Sequence, residues 1–296
     1  FLVEAFQLYV GGDLLGIKFL GEVGASAGSM GGVAAAILVP LALGVSPVYA
    51  VMLGVVCGGM GIIPGFIAGY VMSFIIPKLE EKIPDGLDLI VIICLAAPLG
   101  RGIAQFVSPG VTFALQTIGD IIIAAQSASP YVMAFILGGV ITVVATAPIS
   151  SMALTAMLGL TGLPMAIGAL SVMASSFMNY VFFDRMKFGD RSTTIAVAIE
   201  PLTQADIISA NPIPVFATNF IGGGIAGMIV NYFGLINNAT GTATPIAGFA
   251  VMFGFNPAKE VLITAGLCAI AGIATGYVGS IVFKNYKIKT VAEIRG

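Results

Sequence analysis

The sequence is 296 residues long, with 58% hydrophobic and 9% charged residues, a net charge of −2 and neither tryptophan nor histidine. A soluble domain carries about 25% charged residues, so an ordinary soluble enzyme is excluded. A nucleic-acid partner is excluded too, because phosphate binding needs clustered Lys and Arg.

Charge is absent from long blocks. No Asp, Glu, Lys or Arg occurs between Glu22 and Lys78, between Asp120 and Asp184, between Asp206 and Lys259, or between Glu260 and Lys284. A membrane span takes about 20 apolar residues, so the first three blocks each hold roughly two crossings and the last holds one. With one more span before Ser108, the expected fold class is all-α: a polytopic transmembrane protein of about eight to ten hydrophobic helices, some not crossing fully. Cys57, Cys94 and Cys268 lie in apolar stretches with no C-x-x-C pair, which suggests small core residues rather than a metal site or a disulfide framework.

The opening Phe1–Val10 has no initiator methionine and no basic region ahead of a short apolar core. It does not read as a signal peptide, and the sequence is expected to begin inside a longer chain. Val23–Gly44 and Val48–Ile76 are the first pair of apolar segments, broken at Val45-Ser46-Pro47 because proline disfavours helix in the residue before it. Gly54, Gly58, Gly61, Gly65 and Gly69 recur at helical spacing in the second. They suit close helix packing or backbone lining a substrate path. Lys78 to Asp88 is a charged linker too short to be a domain.

Leu89–Ser108 is the next span, with Arg101 near its end, and Val111–Ala125, carrying Gln116 and Asp120, is expected as a separate interfacial piece. Tyr131–Ala147 and Leu163–Phe183 are clear spans. Between them, Pro148 to Thr155 is apolar but rich in small hydroxyl residues, including Ser150 and Ser151, and is expected to be broken or re-entrant. Arg185, Lys187 and Arg191, and the later Lys284, Lys287 and Lys289, place both of their segments on the cytoplasmic side by the positive-inside rule. Pro214–Leu235 and Glu260–Phe283 are the two crossings that connect them.

Thr194–Asn211 and Asn237–Pro257 are left over, apolar yet interrupted by Pro, Gly, Asn, Thr and Ser. Irregular backbone at membrane depth must be buried in protein or line a watery cavity. A pair of interrupted segments is the best sequence-level pointer to a transporter's binding site. Within them Glu200, with Gln204 and Asp206 after it, reads as a carboxylate facing a cavity or as a solvated loop tip. Asn211, between two proline turns, could bond a hydroxyl-rich ligand or cap the next helix. Gly222, Gly223, Gly224 and Gly227 make a thin helix for packing or for ligand approach. Thr242 and Thr244, in the hydroxyl- and amide-rich stretch after Asn237, suit sugar recognition or an ordinary extracytoplasmic loop.

No catalytic constellation, cofactor motif or metal-ligand cluster is present: there is no imidazole base and no glycine-lysine phosphate loop.

Three stretches carry a family resemblance. Pro64-Gly-Phe-Ile-Ala-Gly-Tyr-Val71, with the charged linker and Ile83-Pro84 after it, is similar to the glycine-rich helix and cytoplasmic loop of the membrane-embedded enzyme IIC subunits of the bacterial phosphoenolpyruvate-dependent sugar phosphotransferase system. Ala147-Pro-Ile-Ser-Ser-Met-Ala-Leu154 sits where that family has a Gly-Pro-x-Asn-Lys-like loop. Ala198-Ile-Glu200-Pro201 through Asn211-Pro-Ile-Pro214 and the Gly222–Gly227 helix resemble its Ile-Thr-Glu segment, later Asp-Pro and small-residue helix. The likeness is closest to the fructose-like branch of the glucose superfamily, and within it to the stand-alone group that includes the perfringolysin regulator.

The resemblance implies a homodimeric permease with re-entrant hairpins in its C-terminal half, in a bacterial cytoplasmic membrane with the C-terminus cytoplasmic. Residues 1–296 would form one membrane domain, with 1–128 for packing and dimerisation and 129–296 for the substrate. The ligand would be a sugar whose hydroxyls meet Glu200, and a separate enzyme IIB would supply phosphate. The family's histidine motif, expected near Thr242–Gly248, is missing, and no IIA or IIB domain lies within these residues. Three readings follow: a permease for a sugar or similar small polar solute, a membrane sensor that binds without transport, and a structural subunit.

Overall fold

The computed structural model describes residues 2–84, 86–147 and 151–296. Helix α1 (Leu2–Glu4) runs into wide, π-type turns over Ala5–Leu14, followed by α2 (Lys18–Gly28), α3 (Gly31–Ala42), α4 (Pro47–Val56), α5 (Ile62–Glu80) and α6 (Asp88–Ala128). Next come α7 (Pro130–Thr146), α8 (Ser151–Met157), α9 (Gly162–Met186), α10 (Arg191–Ile199), a 3-10 turn over Pro201–Gln204, α11 (Ala205–Ala210) and α12 (Pro212–Phe233). The chain closes with α13 (Pro245–Val251), α14 (Ala258–Val282) and α15 (Val291–Arg295). No strand occurs among the described residues.

Five helices among the described residues are long and apolar enough to cross a membrane, or six if α2 and α3, bent by 51°, form one broken span. Pro47–Val56, Pro130–Thr146 and Pro245–Gly254 are shorter apolar helices. This is the polytopic helical membrane fold expected from the charge-free blocks. Phe106 on α6 is 87% exposed, a placement that would be costly in water and is natural against lipid tails.

Three expectations are corrected in detail. Val48–Ile76 is two helices, because α4 stops at Cys57 and the chain passes through Gly59 at φ +74 before α5 begins. Leu89–Ser108 and Val111–Ala125 are one continuous helix, α6, running through Pro98 and Pro109. In a membrane a proline is tolerated in mid-helix, because neighbouring groups re-satisfy the freed carbonyl. Cys94 is exposed on α6, whereas Cys57 and Cys268 are buried as expected.

The chain divides into two compact units, one of Ala25–Ile118 and one of Phe1–Gly24 with Gly119–Gly296. In the smaller unit α3 packs on α5 where Gly65 meets the Gly32 backbone and Gly69 meets Ala36 and Pro40. Packing is thus the use of those glycines, and an apolar core of Val45, Tyr49, Leu53, Met72, Ile76 and Ile92 lies beside them. Arg101 on α6 donates from Nη1 to the carbonyls of Val56 (3.0 Å) and Gly58 (2.8 Å). A cation at the end of α4 satisfies carbonyls that have no helical partner and suits the negative end of the helix dipole.

In the larger unit α9 is the central element, with most of its residues buried, and α7, α12, α13 and α14 all pack on it. The thin face of α12 makes this possible. A methyl group at Gly223 would collide with Thr142 and the Gly138 carbonyl, one at Gly227 with the Ala134 carbonyl, and one at Gly222 with Met178. Polar groups inside the bundle are mostly bonded to nearby backbone, as Ser171 Oγ is to Gly223 O at 3.0 Å. At one end, Arg185 of α9 donates to Ser280 Oγ of α14 (2.8 Å) and stacks over the Tyr277 ring at 4.2 Å.

Candidate functional site

The first interrupted segment follows from its punctuation. Asp190 caps α10 by accepting from Thr193 N and Thr193 Oγ1, both at 2.8 Å, and these bonds hold its carboxyl below the usual range, the backbone one foremost. Ten residues later Glu200 stands before Pro201 with extended backbone at φ −149 and ψ 96, because the residue ahead of a proline is driven out of the helical region. Its N–H still closes the last turn on Ala196 O (2.9 Å), and its carbonyl accepts from Thr203 N (3.1 Å) and Thr203 Oγ1 (2.8 Å). Glu200 is thus pinned by its backbone between a helix end and a 3-10 turn, and the residue is half-buried.

The second segment begins where α12 ends at Gly234, in left-handed conformation at φ 63. Residues 235–244 are non-helical and mostly buried, so their polar groups must find partners inside the protein. Asn256 Nδ2 donates to Ile236 O (2.7 Å) and its Oδ1 accepts from Ile236 N (2.9 Å). Asn237 N donates to Gly162 O (3.0 Å), Asn237 Oδ1 accepts from Ala239 N (2.9 Å), and Asn237 Nδ2 donates to Thr242 Oγ1 (2.9 Å). Helix α8 closes the far side: Ser151 Oγ donates to Ala243 O (2.6 Å), and Thr155 O accepts from Thr240 Oγ1 (3.0 Å).

Both segments border one cavity of about 500 Å³ between α9, α10, α13 and α14. Ala198 and Ile199, just before Glu200 in the first segment, form one wall, and Pro245, Ile246 and Phe249, in the helical part of the second segment, form another. The lining is carbon except for Ser176, whose buried hydroxyl has no hydrogen-bond partner. Ile199, Ile246 and Leu262 keep 55%, 57% and 57% of their surface exposed, so the cavity opens outward.

The candidate residues fall into separate groups. Glu200 lies at the cavity's edge in sequence and makes an interaction of its own. Gln204 and Asp206 accept hydrogen bonds from Arg295, with Asp206 bonded at both oxygens (2.7 and 2.8 Å). Asn211 is fully buried and holds the Lys289 backbone, donating to its carbonyl (2.8 Å) and accepting from its N–H (2.7 Å). Ser151 and Thr242 are bonded within the second segment, Thr242 Oγ1 donating to Ala239 O (2.7 Å). Thr244 precedes α13 and its carbonyl accepts from Gly248 N (3.0 Å). Ser150 lies outside the described residues.

Two features escaped sequence reasoning. Arg295 is the partner of Gln204 and Asp206 across 91 and 89 positions of chain, a separation that no local pattern signals. Asn179 and Asn219, both fully buried, join α9 to α12 through Asn219 Nδ2 donating to Asn179 Oδ1 at 2.8 Å. An amide inside a charge-free block was the available clue.

The family model described as "Phosphotransferase system, EIIC" matches residues 1–294. Comparison with curated proteins and with solved structures returned no match to either. A match over nearly all of the chain, on a helical architecture whose longest helices suit a bilayer, places this chain in the phosphotransferase system EIIC family, as a sugar-specific membrane permease subunit.

Proposed function

We propose that this subunit takes up a sugar or a similar small polar solute at the cavity shared by its two interrupted segments, with Glu200 as the group that meets the solute hydroxyls. The observation that carries the reading is the convergence of Ala198 and Ile199 with Pro245, Ile246 and Phe249 on one cavity. A sugar has polar edges and apolar ring faces. Phe177, Ile246 and Phe249 suit the faces, and a carboxylate can accept two hydroxyl hydrogen bonds at once. At bilayer depth, where this proposal puts Glu200, a carboxylate costs about 2.5–3.5 kcal/mol on insertion scales, a cost that solute binding would account for.

In this proposal the other described candidates support the site: Ser151, Thr242 and Thr244 shape the second segment, and Gln204, Asp206 and Asn211 brace the first. Residues 129–296 hold the substrate and residues 1–128 serve packing and homodimer formation, with both segments re-entrant. The protein sits in a bacterial cytoplasmic membrane with its C-terminus cytoplasmic, where a separate enzyme IIB supplies phosphate.

The test is uptake of a panel of radiolabelled hexoses and polyols into proteoliposomes by wild type and Glu200→Gln. Wild-type uptake above empty vesicles, reduced at least about tenfold by loss of one charged hydrogen-bonding group, is expected. Equal uptake by the two proteins would overturn the role of Glu200. One observation favours a second reading, a sensor that binds without turnover: the sequence has no histidine to fill the family's histidine motif. Thermal stabilisation by a solute with no flux would select it.

A further inference from the structure

After α14 the chain folds back on the larger unit. Val291 N donates to Phe188 O (2.8 Å), and Asn211 pairs with both backbone groups of Lys289 as an adjacent strand would. Ile288, Val291 and Ile294 pack against the cluster of Phe182, Phe183, Phe188, Val197, Ile207 and Ile208. A five-residue helix does not persist by itself. Here α15 is started by Thr290 N donating to Glu293 Oε2 (2.7 Å) and is held in place by that apolar cluster.

This fold-back delivers Arg295 to the Glu200 turn. The Arg295 guanidinium grips Asp206 with Nε and Nη2, and Nη2 also donates to Gln204 Oε1 (3.1 Å). Gln204 Nε2 donates to Thr203 Oγ1 (3.1 Å), and Thr203 Oγ1 donates to Glu200 O (2.8 Å). The direction of every bond follows from the first. Arginine only donates, so Gln204 must turn its oxygen towards Arg295 and its NH2 towards Thr203. The Thr203 hydroxyl, having accepted that bond, has its proton left for the Glu200 carbonyl.

The ion pair itself is weak. Arg295 and Asp206 side chains are 43% and 42% exposed, and pairs so open to solvent contribute little through charge. Gln204 is different, because it is only 7% exposed and its carbonyl oxygen would lose its donor if Arg295 were removed.

We infer that Arg295 is a positioning residue, which orients the Glu200 turn through Gln204 and Thr203 and so sets the geometry of the proposed carboxylate ligand. The inference deepens the solute-binding reading and rests on it for its functional meaning; the relay can be tested without any solute.

The experiment is hydrogen–deuterium exchange on the full chain in lipid nanodiscs, comparing peptides covering 199–205 and 286–295 in wild type, Arg295→Ala and Gln204→Leu. Arg295→Ala is expected to raise exchange about tenfold in both peptides, in line with loss of a charge-assisted bond to a buried group. Gln204→Leu, which leaves the Asp206 and Lys289 contacts in place, is expected to raise exchange several-fold in 199–205 alone. If either variant leaves 199–205 as protected as in wild type, Arg295 is only an anchor for the tail and the inference falls. Uptake by Glu200→Gln tests the solute reading separately, so the two can fail independently.

Discussion

Replacing Gly223 by alanine should destabilise the larger unit although alanine is the better helix former. A β-carbon there would stand 2.6 Å from both Gly138 O and Thr142 Cβ, against an ordinary heavy-atom contact of about 3.5–4.0 Å. Helices α7 and α12 would have to move apart by about 1 Å, which strains the bond from Ser171 Oγ to Gly223 O. Overpacking of this kind costs about 1–3 kcal/mol, set against a propensity gain of up to about 1 kcal/mol, so a net loss of about 1–2 kcal/mol is expected. Gly266 on α14 is the control, since nothing lies within 4 Å of its added β-carbon. There the propensity term acts alone and alanine should be neutral or stabilising. Thermal unfolding of both variants in one detergent decides the matter: if Gly223→Ala melts no lower than wild type, or Gly266→Ala falls as far as Gly223→Ala, close packing is not what the α12 glycines provide.

The tail contacts carry two further expectations, both read by the anisotropy of a dye on a cysteine placed at the exposed Ala292 in a background where the exposed Cys94 is replaced by serine. Asn211→Leu removes the partner of both Lys289 backbone groups, at a local cost of about 2–3 kcal/mol, so anisotropy should drop at neutral pH; an unchanged value would mean that the apolar cluster suffices. The Asp206 carboxyl is held below its ordinary 3.8 chiefly by the hydrogen bond from Arg295, and Glu293 is lowered by bonds from Thr290. A depressed carboxylate pKa contributes stability above the ordinary value and loses it as pH falls through the folded one. The tail should therefore stay docked from neutrality to about pH 4 and loosen only below, and a drop above pH 5 would contradict this pairing.

The membrane fold was legible because the bilayer applies its test locally. A block such as Asp206 to Lys259, free of charge in between, has few places to go but into lipid, and Pro201, Pro212 and Gly234 interrupt helix by their own backbone geometry. Resemblance on Glu200-Pro201 and the Gly222–Gly227 helix pointed to the family that the full-length match then showed. The use of each polar group was not legible in the same way. Gln204, Asp206, Asn211 and Thr242 look alike as candidates for a hydroxyl-rich ligand, yet their partners are Arg295, the Lys289 backbone and Asn237.

The same division appears in the smaller unit. Sequence spacing places Gly54, Gly58, Gly61, Gly65 and Gly69 on one continuous helix, but Gly59 takes a left-handed turn and Arg101 caps the helix that ends before it. Sequence by itself determined that this chain lives in a bilayer on several hydrophobic helices and placed the breaks at Pro201, Pro212 and Gly234, since hydropathy and the limits of proline and glycine act residue by residue. Tertiary structure alone decided which helices meet, which cysteine faces outward and which donors meet which acceptors, because a hydrogen bond across 91 residues depends on where the intervening helices bring the two ends.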